Sequence, residues 1–119
     1  MNRGEIWTVA GGVGYSGKPR PAVILQDDRF DTTDSITVCA FTTDRTDAPL
    51  FRLPVEPTPR NGLRVSCRLM VDKIATVPKT KLGARIGRLA DEDMVRANRA
   101  VLVFLGIAGP TAGEASEST

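Results

Sequence analysis

The sequence predicts a mainly β domain of five or six short strands, closed or nearly closed into a small barrel, with one helix at its C-terminal end. Three observations carry that expectation. Apolar and alternating stretches are short and are separated by Gly, Pro, Asp and Thr clusters, the punctuation of turns. One segment, residues 91–105, repeats its apolar side chains at helical spacing. The 119 residues, 41% of them hydrophobic, suffice for one core but not for two ordinary domains. The domain is expected over residues 1–108. Residues 109–119, rich in Gly, Ala, Ser, Thr and Glu, are too poor in apolar side chains to fold and are expected to form a disordered tail.

Residues 4–9 read as the first strand, with Ile6 and Thr8 facing one way and Trp7 and Val9 the other. Trp7, the single tryptophan, reads as a core or strand-pair aromatic rather than a base-stacking platform. A glycine-rich flap follows over residues 10–16, where Tyr15, Ser16 and then Lys18 can reach a ligand. The flap contains a literal GxGxxG, Gly12 to Gly17, but a dinucleotide fingerprint needs a helix N-terminus after it. A P-loop needs Ser or Thr after Lys18, where Pro19 stands.

Pro19 and Pro21 each fix their own φ and push the preceding residue toward extended geometry, so Arg20 is constrained from both sides. Val23, Ile24 and Leu25 continue as a strand covered on both faces. A guanidinium held at the mouth of a core strand suits a phosphate or carboxylate ligand, and equally an ion pair with a nearby Asp. The residues alone leave both open.

Residues 26–35 form a polar loop. Its Asp27, Asp28, Asp31 and Asp34 lack calcium-loop spacing and read as a solvated acidic cluster, so no metal is expected. Residues 36–41 make a core strand that ends in Thr42-Thr43-Asp44, with hydroxyls at the strand terminus. Residues 49–56 alternate as a half-exposed strand, at a sheet edge because of Pro54. After a turn at 57–62, residues 63–74 read as a long strand interspersed with Ser66, Arg68 and Asp72. Residues 73–78 and 82–88 add short strand segments broken by Pro78 and Gly83. In the closing helix Asp91 is the expected cap, Glu92 and Asp93 charge the first turn, and Met94, Val95, Val101, Leu102 and Leu105 form the apolar stripe opposite Arg96 and Arg99. Gly106 and Gly109 end it.

Composition narrows the chemistry. Histidine is absent, which removes the usual acid–base group near neutral pH and the commonest transition-metal ligand. Cys39 and Cys67 sit in apolar runs without metal-site spacing and read as core residues. A net charge of +2 weakly favours nucleic acid as partner. The N-terminal residues form no apolar signal region and no stretch is long enough to span a bilayer, so a cytoplasmic protein is expected.

Taken together, Arg3-Gly4-Glu5-Ile6-Trp7, the flap, residues 18–25, the strand ending in Thr42-Thr43, Met70-Val71-Asp72-Lys73-Ile74 and Ile86-Gly87-Arg88-Leu89 resemble the MazF/PemK family of toxin endoribonucleases. The match runs from about residue 3 to residue 106. The resemblance implies an SH3-like small barrel (MazF/PemK/CcdB-like) with a C-terminal helix, and a homodimer. It implies metal-independent, sequence-specific cleavage of single-stranded RNA without a cofactor, and a cognate MazE-like antitoxin whose extended acidic C-terminal segment occupies the RNA groove. It assigns Arg20 as the catalytic arginine and Thr42 as the catalytic threonine, with Thr43 the alternative of the pair. Ser16, Lys18, Thr43 and Arg68 are the expected substrate-binding residues. The family's additional acids and bases have no clear counterpart here, because there is no His and Ser66, Arg68 and Asp72 do not align securely.

The ribose 2′-hydroxyl beside the scissile phosphate makes such cleavage feasible by intramolecular attack. The products expected are 2′,3′-cyclic phosphate and 5′-hydroxyl ends. The competing readings are a non-catalytic SH3-like module that binds peptide or nucleic acid, and a gyrase-inhibiting toxin of the same fold.

Overall fold

The computed structural model describes residues 1–10, 18–48 and 50–109. Six strands form: β1 (Glu5–Val9), β2 (Arg20–Ile24), β3 (Ser35–Thr42), β4 (Arg52–Val55), β5 (Cys67–Pro78) and β6 (Leu82–Arg88), followed by helix α1 (Asp91–Phe104). They make one antiparallel sheet in the order β4-β5-β3-β2-β1-β6. β4 lies at an edge, as Pro54 requires, since a proline has no N–H to give a central ladder. Ala22, Val23 and Ile24 are all buried, so β2 is covered on both faces.

The alternation of β1 divides the interior in two. Ile6 joins a core with Val23, Phe41, Leu69, Val71 and Leu89, closed by Met94, Ala97 and Ala100 of α1. Val9 joins a smaller cluster of Ala22, Ile24, Ile36 and Val38, with Trp7 packed against it. The Trp7 indole donates to Glu5 Oε1 at 3.0 Å, so this aromatic is fixed within the fold. Cys39 is fully buried among apolar neighbours, and burial, helped by the Asp72 charge, pushes its thiol up to about 12.

β4 and β6 do not pair with each other, so the sheet is open in its ladder, and the turn at residues 58–62 spans the gap. Asn61, 2% exposed, organises that turn. Its Oδ1 accepts from the backbone N–H of Thr58 and of Leu63, each at 2.9 Å, and its Nδ2 donates to Glu56 O at 2.9 Å. The turn is seated on β6 through Arg88 N donating to Arg60 O at 2.9 Å. Gly62, at φ +72°, and Gly87 permit this approach: a Cβ on Gly62 would lie 2.0 Å from Ile86 O, and one on Gly87 2.3 Å from Asn61 C.

Several elements differ from expectation. Residues 63–66 are not strand. They continue the turn, and β5 starts at Cys67 and runs unbroken to Pro78, merging what read as two strands. Pro78 does end it, whereas Gly83 lies inside β6, where a Cβ would meet Thr8 Oγ1 at 2.5 Å. β5 is long because it turns a corner: its partners on β3 shift by three residues between Cys39↔Ile74 and Phe41↔Leu69.

The helix cap is Ala90, with no side-chain bond, and Asp91 is the first helical residue. Asp91, Glu92 and Asp93 still oppose the positive end of the helix dipole. The buried face is Met94, Ala97 and Ala100, while Val95 (67% exposed) and Leu105 (57%) face out. Gly106, at φ +77°, ends the helix, with Ile107 N donating to Leu102 O and Gly106 N to Val103 O. Gly109 O accepts from Arg99 at 2.8 Å; residues 110–119 of the expected tail, like 11–17 of the flap, lie outside the described residues. The acidic loop is not simply solvated. Asp28 accepts from Arg3 N at 2.6 Å, Asp27 pairs with Arg29 and Asp31 with Lys79.

Candidate active site

β2 begins at Arg20 and β3 ends at Thr42, and their pairing brings these ends together. Ala22 pairs with Ala40, Val23 with Cys39 and Ile24 with Val38. The same register carried two residues further sets Arg20 across from Thr42. On the other side Thr42 pairs directly with Arg68 of β5, and Arg68 with Pro54 of β4. Register partners on neighbouring antiparallel strands share a face, with Cβ atoms about 5 Å apart. Arg20, Thr42 and Arg68 therefore form one rung across three strands.

Two cavities open along this rung. The larger, about 420 Å³, is lined among others by Thr8, Arg20, Phe41, Thr42, Thr43 and Arg64. The smaller, about 100 Å³, is lined among others by Thr43, Asp44, Arg45, Glu56, Ser66 and Arg68. Thr42, Thr43 and Cys67 belong to both, so the cavities meet at the threonines. None of the described residues lining the larger cleft is an Asp or Glu, and its charged groups are Arg20 and Arg64.

The bonds around the rung determine what each group can do. Thr42 Oγ1 accepts the Asp44 N–H at 3.1 Å, which ties up a lone pair and leaves the hydroxyl hydrogen available to donate. Asp44 in turn accepts from Thr46 N at 3.1 Å and Thr46 Oγ1 at 3.0 Å, and these bonds hold its carboxyl below the usual range. Arg68 Nη1 donates to Arg45 O at 3.2 Å and Thr46 O at 2.5 Å, bracing the loop after Thr42 from below. Ser66 Oγ donates to Glu56 Oε2 at 2.8 Å.

Of the residues expected at the site, Arg20, Thr42 and Thr43 line one cleft, and Arg68 lines the adjoining pocket with both threonines. Lys18 is exposed and precedes the cleft-lining Pro19 without lining the cleft itself. Ser16 lies outside the described residues. Asp72 lines neither cavity: Arg52 holds it in a two-pronged pair, Nε to Oδ1 at 2.7 Å and Nη2 to Oδ2 at 3.0 Å. That pairing keeps its carboxyl well below the usual range despite partial burial. Thr8, Arg64, Arg45 and Glu56 were not anticipated at the site. The one available signal was that residues 57–66 carry Pro, Gly and Asn, the chemistry of a loop rather than a strand.

Comparison with known proteins agrees with this fold. Residues 2–105 match the family model for the PemK-like, MazF-like toxin of type II toxin-antitoxin systems. The chain is 60% identical over 109 residues, 92% of its length, to the whole of a probable endoribonuclease MazF of Mycolicibacterium smegmatis. Its fold superposes with a TM-score of 0.73 on an endoribonuclease in complex with its cognate antitoxin from a mycobacterial species, at 24% identity over 92% of this chain and 99% of that one. It superposes at 0.73 on the Mycobacterium tuberculosis toxin MazF-mt6, at 24% identity over 87% and 98% of the two chains. For MazF in a MazE-MazF complex from Deinococcus radiodurans the TM-score is 0.72, at 16% identity over 91% and 98%. A curved antiparallel sheet with one C-terminal helix, an arginine and a threonine brought to one cleft by strand register, and a family match along almost all of the described chain lead to one conclusion: this protein belongs to the PemK-like, MazF-like toxin family of type II toxin-antitoxin systems.

Proposed function

We propose that this toxin is an endoribonuclease that cuts single-stranded RNA in the cleft between Arg20 and Thr42, without a metal, by attack of the ribose 2′-hydroxyl on the adjacent phosphate. The observation that carries the reading is the meeting of Arg20, Thr42 and Thr43 in a cleft whose described lining holds cations and hydroxyls but no carboxylate. A cavity of that charge attracts a phosphodiester. In the reaction the 2′-oxygen bonds to phosphorus, the bond from phosphorus to the 5′-oxygen breaks, and the 2′-proton is released as the departing oxygen takes one up.

Arg20 matches two phosphate oxygens with its fork and stabilises the charge that grows on them. Thr42 donates its remaining hydroxyl hydrogen to a phosphate oxygen, its lone pair already tied to the Asp44 N–H. Its alcohol does not ionise near neutral pH, so its part is orientation. With the nucleophile built into the substrate, these groups need only hold the nucleotide in line and neutralise charge.

The protein is proposed to act in the cytoplasm as a homodimer and to be restrained by a MazE-like antitoxin. The known complexes of proteins of this fold with antitoxins support that part of the reading. An acidic extended segment suits the cationic cleft by charge complementarity. The test is to incubate the purified protein with single-stranded RNA in EDTA and analyse the new ends. Cuts at defined sequences with 2′,3′-cyclic phosphate and 5′-hydroxyl ends are expected. Products with 5′-phosphates would show that water was the nucleophile, and intact RNA would remove the activity altogether.

A further inference from the structure

The two cavities that meet at Thr42 and Thr43 differ in charge. The larger holds Arg20 and Arg64, whereas the smaller sets Arg45 and Arg68 against Asp44 and Glu56 and is close to neutral. A phosphate is therefore drawn to the first and gains nothing in the second. The bonding inside the smaller pocket narrows its ligand. Arg68 is held in place by Nη1 donating to the carbonyls of Arg45 and Thr46, and Asp44 Oδ1 accepts from the N–H and hydroxyl of Thr46. Glu56 gives Oε2 to Ser66, and among the described residues nothing engages its Oε1. No hydrogen bond or ion pair among the described residues engages the guanidinium of Arg45 either. What the pocket offers is two carboxylate oxygens that accept, Asp44 Oδ2 and Glu56 Oε1, and the guanidinium of Arg45 that donates, a step away from the scissile position.

Resting on the ribonuclease reading, we propose that this small pocket reads one base next to the cut. Its ligand is a base that presents an exocyclic amino group to Glu56 and a ring nitrogen or carbonyl to Arg45. Adenine, cytosine and guanine meet that description. Uracil has no amino group, and its one edge donor, N3–H, lies between two carbonyl oxygens, so that donating to one carboxylate sets a carbonyl against the acidic side of the pocket. Arg64 takes the complementary role. It is exposed at the rim of the cationic cleft, and no described residue bonds its guanidinium, so it holds a backbone phosphate without regard to sequence. Specificity and affinity then reside on opposite sides of Thr42 and Thr43, with free single-stranded bases able to reach the pocket by their edges.

The test uses the full chain and an RNA library randomised around a known cut, with ends sequenced. Wild type is expected to disfavour uracil at one position beside the cut. Glu56→Gln keeps the Ser66 bond but can donate where the carboxylate only accepts, so it is expected to raise the relative rate on uracil at that position by about tenfold. Arg64→Ala, assayed for binding to RNA carrying a 2′-deoxy nucleotide at the cut, is expected to weaken all sequences alike. It should also lower the slope of log K against log salt by about 0.7. Unchanged base preference in Glu56→Gln, or altered preference with an unchanged salt slope in Arg64→Ala, would overturn the assignment. RNA left intact by wild type would overturn the ribonuclease reading and this inference with it, whereas normal cutting with indifferent variants would overturn this inference alone.

Discussion

Arg20 and Arg52 begin in similar circumstances and end in different ones. Each is the first residue of a strand, β2 and β4, and each has a proline at most two residues on. Diagonally across from Arg52, two residues beyond its register partner Met70, lies Asp72, and the two side chains, 12% and 21% exposed, close into a two-pronged pair. Arg20 instead faces Thr42 over a cleft with no described carboxylate. What the neighbouring strand brings near each guanidinium differs: a carboxylate makes Arg52 a structural clasp, whereas a threonine hydroxyl beside a cleft is what the proposed anion-binding role of Arg20 rests on.

Five substitutions sharpen or break that contrast. The largest effect is expected from Arg20→Ala, which should lower kcat/KM for RNA cleavage by about 10²- to 10³-fold while leaving the protein folded. Arg20→Lys should recover only part, because an ammonium cannot bridge two oxygens in a plane. Thr42→Val keeps the shape and removes one hydrogen bond to a charged oxygen, for a loss of about 10- to 100-fold in single-turnover cutting. If either variant cuts normally, the cleft is not the reaction site.

Asp72→Asn belongs to the other side of the comparison. It should lower stability by about 1–2 kcal/mol in urea melts at pH 7 and leave cutting by the folded fraction unchanged. The Arg52 bonds depress the Asp72 pKa in the folded state. The stabilisation is therefore present above the unfolded value, about 3.9, and disappears as pH falls through the lower folded one. Wild type and variant should converge in strong acid. The smallest effect is expected for Arg29→Ala, whose pair with Asp27 is 79% and 47% exposed and screened by water, so the urea melt should scarcely shift. A larger loss there would mean that the loop after β2 supports the cleft.

Much of this could be read from the residues. The prolines around Arg20 marked a braced strand entrance, Pro54 marked an edge, and Gly106 marked the helix end, because each acts through its own backbone geometry. The family motifs named Arg20 and Thr42 together. The helix face was misread because Ala97 and Ala100 fill the contact with the sheet, while the larger Val95 and Leu105 lie outside. Close packing favours small residues there, which a pattern weighted by hydrophobicity passes over. Residues 63–66 alternate like a strand, yet Asn61 pins their start into a turn against β6. Arg64, Arg45 and Glu56 were hidden for a different reason. Their proximity depends on pairings between distant strands, which no local pattern records.

The rung shared by Arg20, Thr42 and Arg68 makes the toxin intolerant of changes in chain length. Side chains in a strand alternate, so deleting one residue from β2, β3 or the first half of β5 would rotate that strand's contribution to the opposite side of the sheet. A library of single-codon deletions should therefore yield survivors of toxin expression throughout these three strands. Deletions in the polar loop at 26–35, which contributes no described residue to either cavity, should leave many toxins still lethal.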